Sequence, residues 1–600
     1  MNSTSIPAHG PAPGQACRIE KPFRVRDRDG RSEEVELLLA AVNIRIDNFA
    51  AIAEACGISP KASLDDLLAA GWRRWGTGLA AQLRGPFAFV LRDLTDGTIY
   101  AARDHFGLAP LFVTETDDAL FFGQTSQSLR IALGRSPADD RTMLADFIAG
   151  AYLERERTFF EGITRFPAAH WALYRQGDRQ RQRYWSLSNV TADPHPDAPV
   201  ERFRALLDRS VAQCIQPGQT ALMLSGGLDS SAIAASASLS GAQSGSGPLD
   251  ALSLTYRETP GWCDDRHLAA VAARTGLDPV EVAGDVHDPL QDMAFWLRAV
   301  DGPHLPRGHS VSFQLLHLAR RMGDGVVLSG HGGDEVVSYG FGRLNELAKR
   351  GAWWQLWRET RAASQLYGDD RLALFRRYLS HKPYLRRLIR RLARKVAEES
   401  PVQRRYLSDD AVRAIEPDRY DIRPAAGRLD HDERMLHLEA LDHALQPGSL
   451  EVFALCSHAA GVDTRLPFYD VELVEQSFSL PSEWKLRDGL SRYVLRAAYR
   501  GDLPDETLDR RDKFDFTSAF LAGLVSQKDK VLDLTDPAVA DPWGLVDRQS
   551  LADARESLYR NGAGIDLGDA FFLWRVAVLA MWAEIAHAPL LAAPFPHSDN

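Results

Sequence analysis

Six hundred residues exceed what a single hydrophobic core organises, so two or more domains are expected. The hydrophobic share of 45% and charged share of 25% are those of an ordinary soluble globular chain. The net charge of −11 argues against a general nucleic-acid binder, while leaving local basic patches open. Five scattered cysteines (Cys17, Cys56, Cys214, Cys263, Cys456) include no Cys-x-x-Cys pair. They suit neither a zinc site nor a disulfide framework, and they fit a reducing cytoplasm. The opening residues lack the basic start and apolar core of a signal peptide. The apolar stretch 571–591 is broken by Arg575, Glu584 and His587, so it reads as a buried or amphipathic helix rather than a membrane span. A cytoplasmic protein without membrane or nucleic-acid partners is expected.

In chain order, two helical stretches at 48–55 and 64–75 precede short apolar runs at 86–92 and 98–102, which flank the turn Thr95-Asp96-Gly97. Further strand-like pieces at 111–114 and 119–123 flank Asp117-Asp118, and the pattern suggests sheets layered with helices. The polar, proline-rich segment 189–199 marks a domain boundary. Beyond it, strands at 220–224, 251–256, 279–283 and 325–328 alternate with helices that include 230–239 and 264–275. That alternation implies an open parallel α/β sheet, whose ligands lie beyond the carboxyl ends of the strands. From about residue 353 the chain reads mostly helical. Its basic segment 371–405, with Arg386-Arg387 and Arg390-Arg391, is either a solvated helical face or a docking surface for an acidic peptide or protein.

The strand at 220–224 runs into Ser225-Gly226-Gly227-Leu228-Asp229-Ser230-Ser231, and a small-residue helix follows. The paired glycines let the backbone approach a phosphate, and the serine hydroxyls and helix N–H groups favour an anion. Asp229 adds a carboxylate suited to a magnesium ion bridging phosphates. No Gly-Lys-Ser/Thr follows, so this is not a Walker-type loop. The heptapeptide in this setting resembles the loop of the N-type ATP pyrophosphatases, which implies ATP cleavage between the α and β phosphates, adenylation of a carboxylate, and attack by a nitrogen nucleophile.

Further blocks lie in the order found in the asparagine synthetase family. Leu328-Ser329-Gly330-His331-Gly332-Gly333-Asp334-Glu335 resembles its second nucleotide and metal block. Gly461-Val462-Asp463-Thr464-Arg465-Leu466-Pro467-Phe468-Tyr469-Asp470 resembles its Gly-x-Glu-x-Arg-x-Pro-Phe-x-Asp block. Arg510-Arg511-Asp512-Lys513 resembles the segment carrying its catalytic lysine, and 85–89 with 102–111 resemble its glutaminase-like domain. The resemblance implies an Ntn-hydrolase-like αββα sandwich over residues 1–188. An ATP-pyrophosphatase open parallel sheet would follow over 200–600, with a helical insertion at about 350–445. It also implies ATP and Mg2+ as cofactors. Met223, Ser225, Gly226, Gly227, Leu228, Asp229, Ser230, Ser231, Leu254, Ser329 and Gly330 would bind the nucleotide. Asp229 and Asp334 would hold the metal, and Lys513 would stabilise the transition state. Outside this block context, Lys513 reads as a surface lysine.

The chain departs from the glutamine-dependent pattern in two places. It opens Met1-Asn2-Ser3, where that pattern needs a cysteine at the mature N-terminus, and its glutamine-pocket segment reads Val42-Asn43-Ile44-Arg45-Ile46-Asp47-Asn48. Glutamine hydrolysis is therefore not expected, and the amine would belong to the substrate. His331 stands where asparagine synthetases carry Glu and β-lactam synthetases carry Tyr. A His331–Asp463 pair could deprotonate an intramolecular amine, although His331 could equally be a loop histidine and Asp463 an anchor for Arg465. The altered N-terminal domain and the block around His331 look most like the lasso peptide cyclases. That implies a macrolactam closed between a precursor peptide's N-terminal amine and an Asp or Glu side chain. A leader-peptide protease and a leader-recognition protein would then be partners. The alternatives are an asparagine synthetase or β-lactam synthetase type of amide ligase, and an inactive peptide-binding scaffold.

Overall fold

The computed structural model describes residues 16–20, 35–175, 178–244, 249–256, 265–284, 288, 290, 292–303, 309–367, 370–379, 404–415, 419, 431–510, 516–538 and 540–588. The first of its two main parts is built on β1 (Ala16–Glu20), β2 (Val35–Ala40), β3 (Ala88–Asp93), β4 (Ile99–Arg103), β5 (Phe112–Glu115), β6 (Ala119–Gly123), β7 (Thr164–Arg165), β8 (His170–Arg175) and β9 (Asp178–Arg183). They form two antiparallel sheets, ordered β1-β6-β5-β7 and β2-β3-β4-β8-β9. Side chains alternate strictly between faces. Ala88 and Val90 of β3 and Leu120 and Phe122 of β6 fill the seam between the sheets. Phe89 and Leu91 point outward under the helices Phe49–Cys56 and Leu64–Trp75. Ala119 and Phe121 point the other way, under Ser126–Leu133 and Arg141–Ala149. The result is the expected αββα sandwich, and burial on both faces explains why 86–92 reads as one unbroken apolar run.

Local signals set the helix ends. Ser63 caps Leu64–Trp75 in a reciprocal capping box with Asp66, and Asp65 and Asp66 at its start oppose Arg73 and Arg74 at its end. Five of these strands carried no readable sequence signal. β9 is Asp-Arg-Gln-Arg-Gln-Arg, an exposed edge that joins β8 through the backbone ladder, with Arg179 over the Tyr174 ring; β1, β2, β7 and β8 likewise take their place from tertiary pairing.

Residues 190–198 carry no helix or strand, and the helix Pro199–Cys214 opens the second part. Its sheet comprises β10 (Thr220–Met223), β11 (Asp250–Thr255), β12 (Pro279–Ala283), β13 (Val326–Leu328) and β14 (Asp463–Arg465), all parallel and ordered β12-β11-β10-β13-β14. The chain winds outward one way through β11 and β12, then crosses back to β13 and β14. The switch point therefore lies between β10 and β13, where a crevice opens past the strand ends.

The apolar stretch near the end of the sequence is the helix Leu567–Ala586, buried for most of its length. It lies against the first part: Arg575 donates to the Ile148 carbonyl at 2.9 Å, and Arg130 donates to that of Ala586 at 2.6 Å. Among the described residues no helix is long and apolar enough to cross a membrane. Of the basic segment 371–405, the helix Arg371–Leu379 and residues 404–405 are described; 380–403, with both arginine pairs, lie outside the described residues.

Candidate active site

The switch point brings two loops together. After β10, the chain turns through Ser225–Gly227 into the helix Leu228–Ser244. Ser225 donates its N–H to Ser230 Oγ at 3.2 Å, and the two hydroxyls meet at 3.0 Å, closing the loop on the first helical turn. Ser231 Oγ is buried without a partner. After β13 comes Ser329–Asp334, and the two loops nest so closely that side chains are excluded. A Cβ on Gly330 would lie 2.8 Å from the Ser230 nitrogen, and one on Gly333 would lie 2.4 Å from Asp229 Cγ. The glycines of the second block are thus the surface on which the first loop rests.

That nesting puts the Asp229 and Asp334 carboxylates on one point. Between them stands Arg492, whose Nη1 donates to Asp229 Oδ1 and Oδ2 at 2.7 and 2.8 Å and to Asp334 Oδ1 at 2.5 Å. Its guanidinium also lies over the Tyr339 ring, 5.2 Å from the centroid. Burial works against the charge on Arg492, but the two carboxylates outweigh it and hold its pKa above the ordinary guanidinium value. Arg492 holds a left-handed backbone, φ +53°, at the start of the helix Tyr493–Ala498. Sequence reasoning missed this residue. It lies 158 positions after Asp334 and 263 after Asp229, and no local spacing marks it.

The donor set fits the groups expected here. Two convergent carboxylates are what magnesium takes when phosphates and water complete its shell. Asp229 and Asp334 would hold such an ion, which would draw charge from the phosphates. Arg492 adds a fixed cation, and the serine-lined turn adds hydroxyl and N–H donors for phosphate oxygens. Met223 and Leu254, near the carboxyl ends of adjoining strands, are half-buried on the same face of the sheet, as an adenosine wall requires. Ser329 is buried, with its N–H on the Arg465 carbonyl at 3.1 Å. Lys513 lies outside the described residues. The segment leading to it is fastened by buried Arg496, which donates to the carbonyls of Leu508 at 2.5 Å and Arg510 at 2.7 Å.

The expected His331–Asp463 hydrogen bond is not formed. Asp463 begins β14 opposite Val326, two residues before the strand end beyond which His331 lies, and its Oδ2 accepts from Arg465 Nε at 2.7 Å. It is the anchor for Arg465, one of the two readings its position allowed. His331 packs on Phe453, ring centroids 4.5 Å apart, and near Tyr469, at 6.3 Å. Both rings also line the small cavity that Asp463 lines. Burial pushes the His331 pKa down to about 4, opposed only by the Asp334 charge, and its Nε2 is a buried atom without a partner. The imidazole is therefore neutral at pH 7 and a weaker base than a free imidazole.

The same cavity lies between the two parts of the molecule and holds about 30 Å³, room for roughly one or two waters. An ionic network lines it. Arg45 Nε donates to Asp47 Oδ1 at 2.5 Å and its Nη2 to Cys214 Sγ at 3.5 Å, while Arg465 Nη1 donates to the Cys214 carbonyl at 2.9 Å. Cys17, mid-strand in β1 opposite Phe122, has its thiol pushed up to about 12 by burial. Such a thiol is no nucleophile at neutral pH.

Comparison with known proteins agrees with this geometry. A family model for asparagine synthase matches residues 202–584, and one for a glutamine amidotransferase domain matches 51–185. Asparagine synthetase [glutamine-hydrolyzing] 3 of Bacillus subtilis (strain 168) is 26% identical over 496 residues, 78% of this chain and 74% of its own. Asparagine synthetase [glutamine-hydrolyzing] 1 of the same organism is 21% identical over 482 residues, covering 74% and 70%. With the switch-point loops, the convergent carboxylates and a match running through the whole second part, the chain belongs to the asparagine synthase family and is an ATP-dependent, AMP-forming carbon–nitrogen ligase.

Proposed function

We propose that this ligase closes a macrolactam in a precursor peptide, as the lasso peptide cyclases do. An Asp or Glu side chain of the peptide attacks the α-phosphorus of ATP, pyrophosphate leaves, and an acyl adenylate results. The peptide's own N-terminal amine then attacks the acyl carbon, AMP leaves, and the ring is joined by an isopeptide bond. Asp229 and Asp334 would hold magnesium, Arg492 and Lys513 would face developing negative charge, and His331 would take the proton lost by the amine.

The observation that carries this reading is the small, charged cavity between the two parts. The Arg45–Asp47 and Arg465–Asp463 pairs meet around Cys214 and leave space for little more than a water, and the Cys17 thiol is held protonated. Among the described residues, this small, charged cavity favours an amine already on the substrate over one delivered from the first part. The cytoplasm, with a leader-peptide protease and a leader-recognition protein as partners, fits such a substrate. Incubation with a matching core peptide, ATP and magnesium is expected to yield a product lighter by one water, with stoichiometric AMP. An unchanged peptide mass without AMP overturns the proposal.

A second reading, asparagine synthesis from free aspartate, is supported by similarity to the Bacillus synthetases along most of their length. Asparagine formed from aspartate with ammonia or glutamine decides for it.

A further inference from the structure

Directly behind the carboxylate cluster lies a buried group of titratable side chains that the ligase chemistry does not use. Lys485, 1% exposed, donates from Nζ to His437 Nδ1 at 2.8 Å and stands 3.8 Å from Glu433 Oε1. His437 Nε2 faces the carbonyls of Glu335 and Val336 at 2.9 and 3.1 Å. Carbonyls only accept, so Nε2 carries the imidazole proton and Nδ1 offers its lone pair to the ammonium. Glu433 accepts from Ser338 Oγ at 2.7 Å and from the Gly342 N–H at 2.9 Å. Both partners of Lys485 thus reach the segment beside Asp334: His437 at Glu335 and Val336 in the short helix Gly333–Val337, and Glu433 at Ser338 just after it.

The same lysine sits at the root of a second element. Lys485 immediately precedes β15 (Leu486–Arg487), which pairs with β16 (Leu490–Ser491), and Arg492 immediately follows β16. The Tyr493 N–H closes the hairpin on the Lys485 carbonyl at 3.0 Å. One residue thus stands where the support of Asp334 and the support of Arg492 meet.

We propose that Lys485 is a positioning residue of the ligase: through His437 and Glu433 it fixes the Asp334 segment, and through the hairpin it fixes Arg492, so that cation and carboxylates stay in register for Mg-ATP. The charged groups facing it are Glu433, Arg434, Glu346 and Asp432, with neutral His437 as its hydrogen-bond partner. Burial brings the ammonium down to about 8, against the pull of Glu433. The ion pair at the centre of this support is therefore discharged in mildly alkaline solution. The inference rests on the ATP-dependent ligase reading of the cluster and is independent of which amine is joined.

Mg-ATP binding to the full chain, followed by titration calorimetry at pH 7 and pH 9 with melting curves alongside, tests it without any acceptor substrate. A group titrating at about 8 is roughly nine-tenths charged at the lower pH and one-tenth at the higher. Wild-type affinity is expected to fall about tenfold between them. Lys485→Met should bind at least tenfold more weakly at pH 7 and lose the pH dependence, while Lys485→Arg, which keeps its charge, should bind equally at both. Wild-type binding that is equal at the two pH values, or wild-type affinity in Lys485→Met, overturns the proposal; the first outcome decides even if the variants fail to fold. Absence of any Mg-ATP binding by the wild type would instead sink the ligase reading itself.

Discussion

Replacing Gly333 by alanine tests the nesting of the two loops most directly. Gly333 has no unusual backbone demand; what it lacks is room. The added methyl carbon would stand 2.4 Å from Asp229 Cγ and 2.5 Å from Oδ1, whereas carbon atoms rest at about 3.5–4.0 Å. The carboxylate must retreat by about 1 Å or the Asp334 helix must lift by as much. Either motion stretches the 2.7 and 2.8 Å bonds from Arg492 to Asp229 past useful length. Each bond to a charged group contributes about 1.5–3 kcal/mol. At about 1.4 kcal/mol per tenfold, losing one weakens Mg-ATP binding by roughly one to two orders of magnitude. Overpacking of this kind also costs about 1–3 kcal/mol of stability. Calorimetric titration of Gly333→Ala with Mg-ATP, beside a melting curve, reads both effects. Gly564→Ala, whose nearest neighbour would be 3.8 Å away, is the neutral control. Wild-type affinity and melting temperature in Gly333→Ala would refute the close approach of the loops and with it the shared carboxylate point.

Glu451→Ala should destabilise the junction between the two parts by about 3–5 kcal/mol, because it strands Arg103 and Arg165, which donate to it at 2.9 and 2.7 Å; urea denaturation measures the loss. Burial alone would raise the Glu451 pKa, but the two guanidiniums hold it below the usual carboxylate value. Its contribution is therefore complete above the unfolded value of about 4.3 and fades as pH falls through the lower folded one. His331, its pKa pushed down to about 4 by burial, stays neutral through most of the acid range. Its neutral form contributes stability in full above about 6.5, lost progressively as pH falls towards the folded value. The acid limb of its proton-accepting step should lie well below that of a free imidazole, in a profile of kcat/KM against pH, and an unshifted limb near 6.5 would argue against His331 as the acceptor. The Cys17 thiol should escape iodoacetamide at pH 8 in the native protein, as read by mass spectrometry of the peptide that contains it, since burial holds it at about 12.

The strands that carry the site were legible because they are buried on both faces. Residues 220–224 and 325–328 have no polar side to hide, and a serine- and glycine-rich turn follows each. β14, only Asp-Thr-Arg, shows nothing in its composition; it is a strand because Leu328 and its neighbours offer an open edge. The His331–Asp463 pair was expected from two aligned blocks, yet alignment gives residue types and not facing directions. Asp463 and Arg465 are two apart on one strand, so they share a face, and an aspartate beside an arginine on one face pairs with it first. His331 packs on the Phe453 ring instead.

By itself the sequence determined that sheets layered with helices come first, that a parallel sheet follows, and that the loop Ser225–Ser231 leaves its first strand, because periodicity, turn residues and loop chemistry act over a few residues and need no partner; the αββα arrangement followed only from the family resemblance. Tertiary structure alone decided what those loops face. Arg492 reaches Asp229 and Asp334 across gaps of 263 and 158 residues, Lys485 braces both sides of that cluster from behind, and an ionic network lines the cavity between the two parts. Contacts between distant segments are set by how packed layers bring strand ends and hairpin roots together. No spacing along the chain encodes that distance.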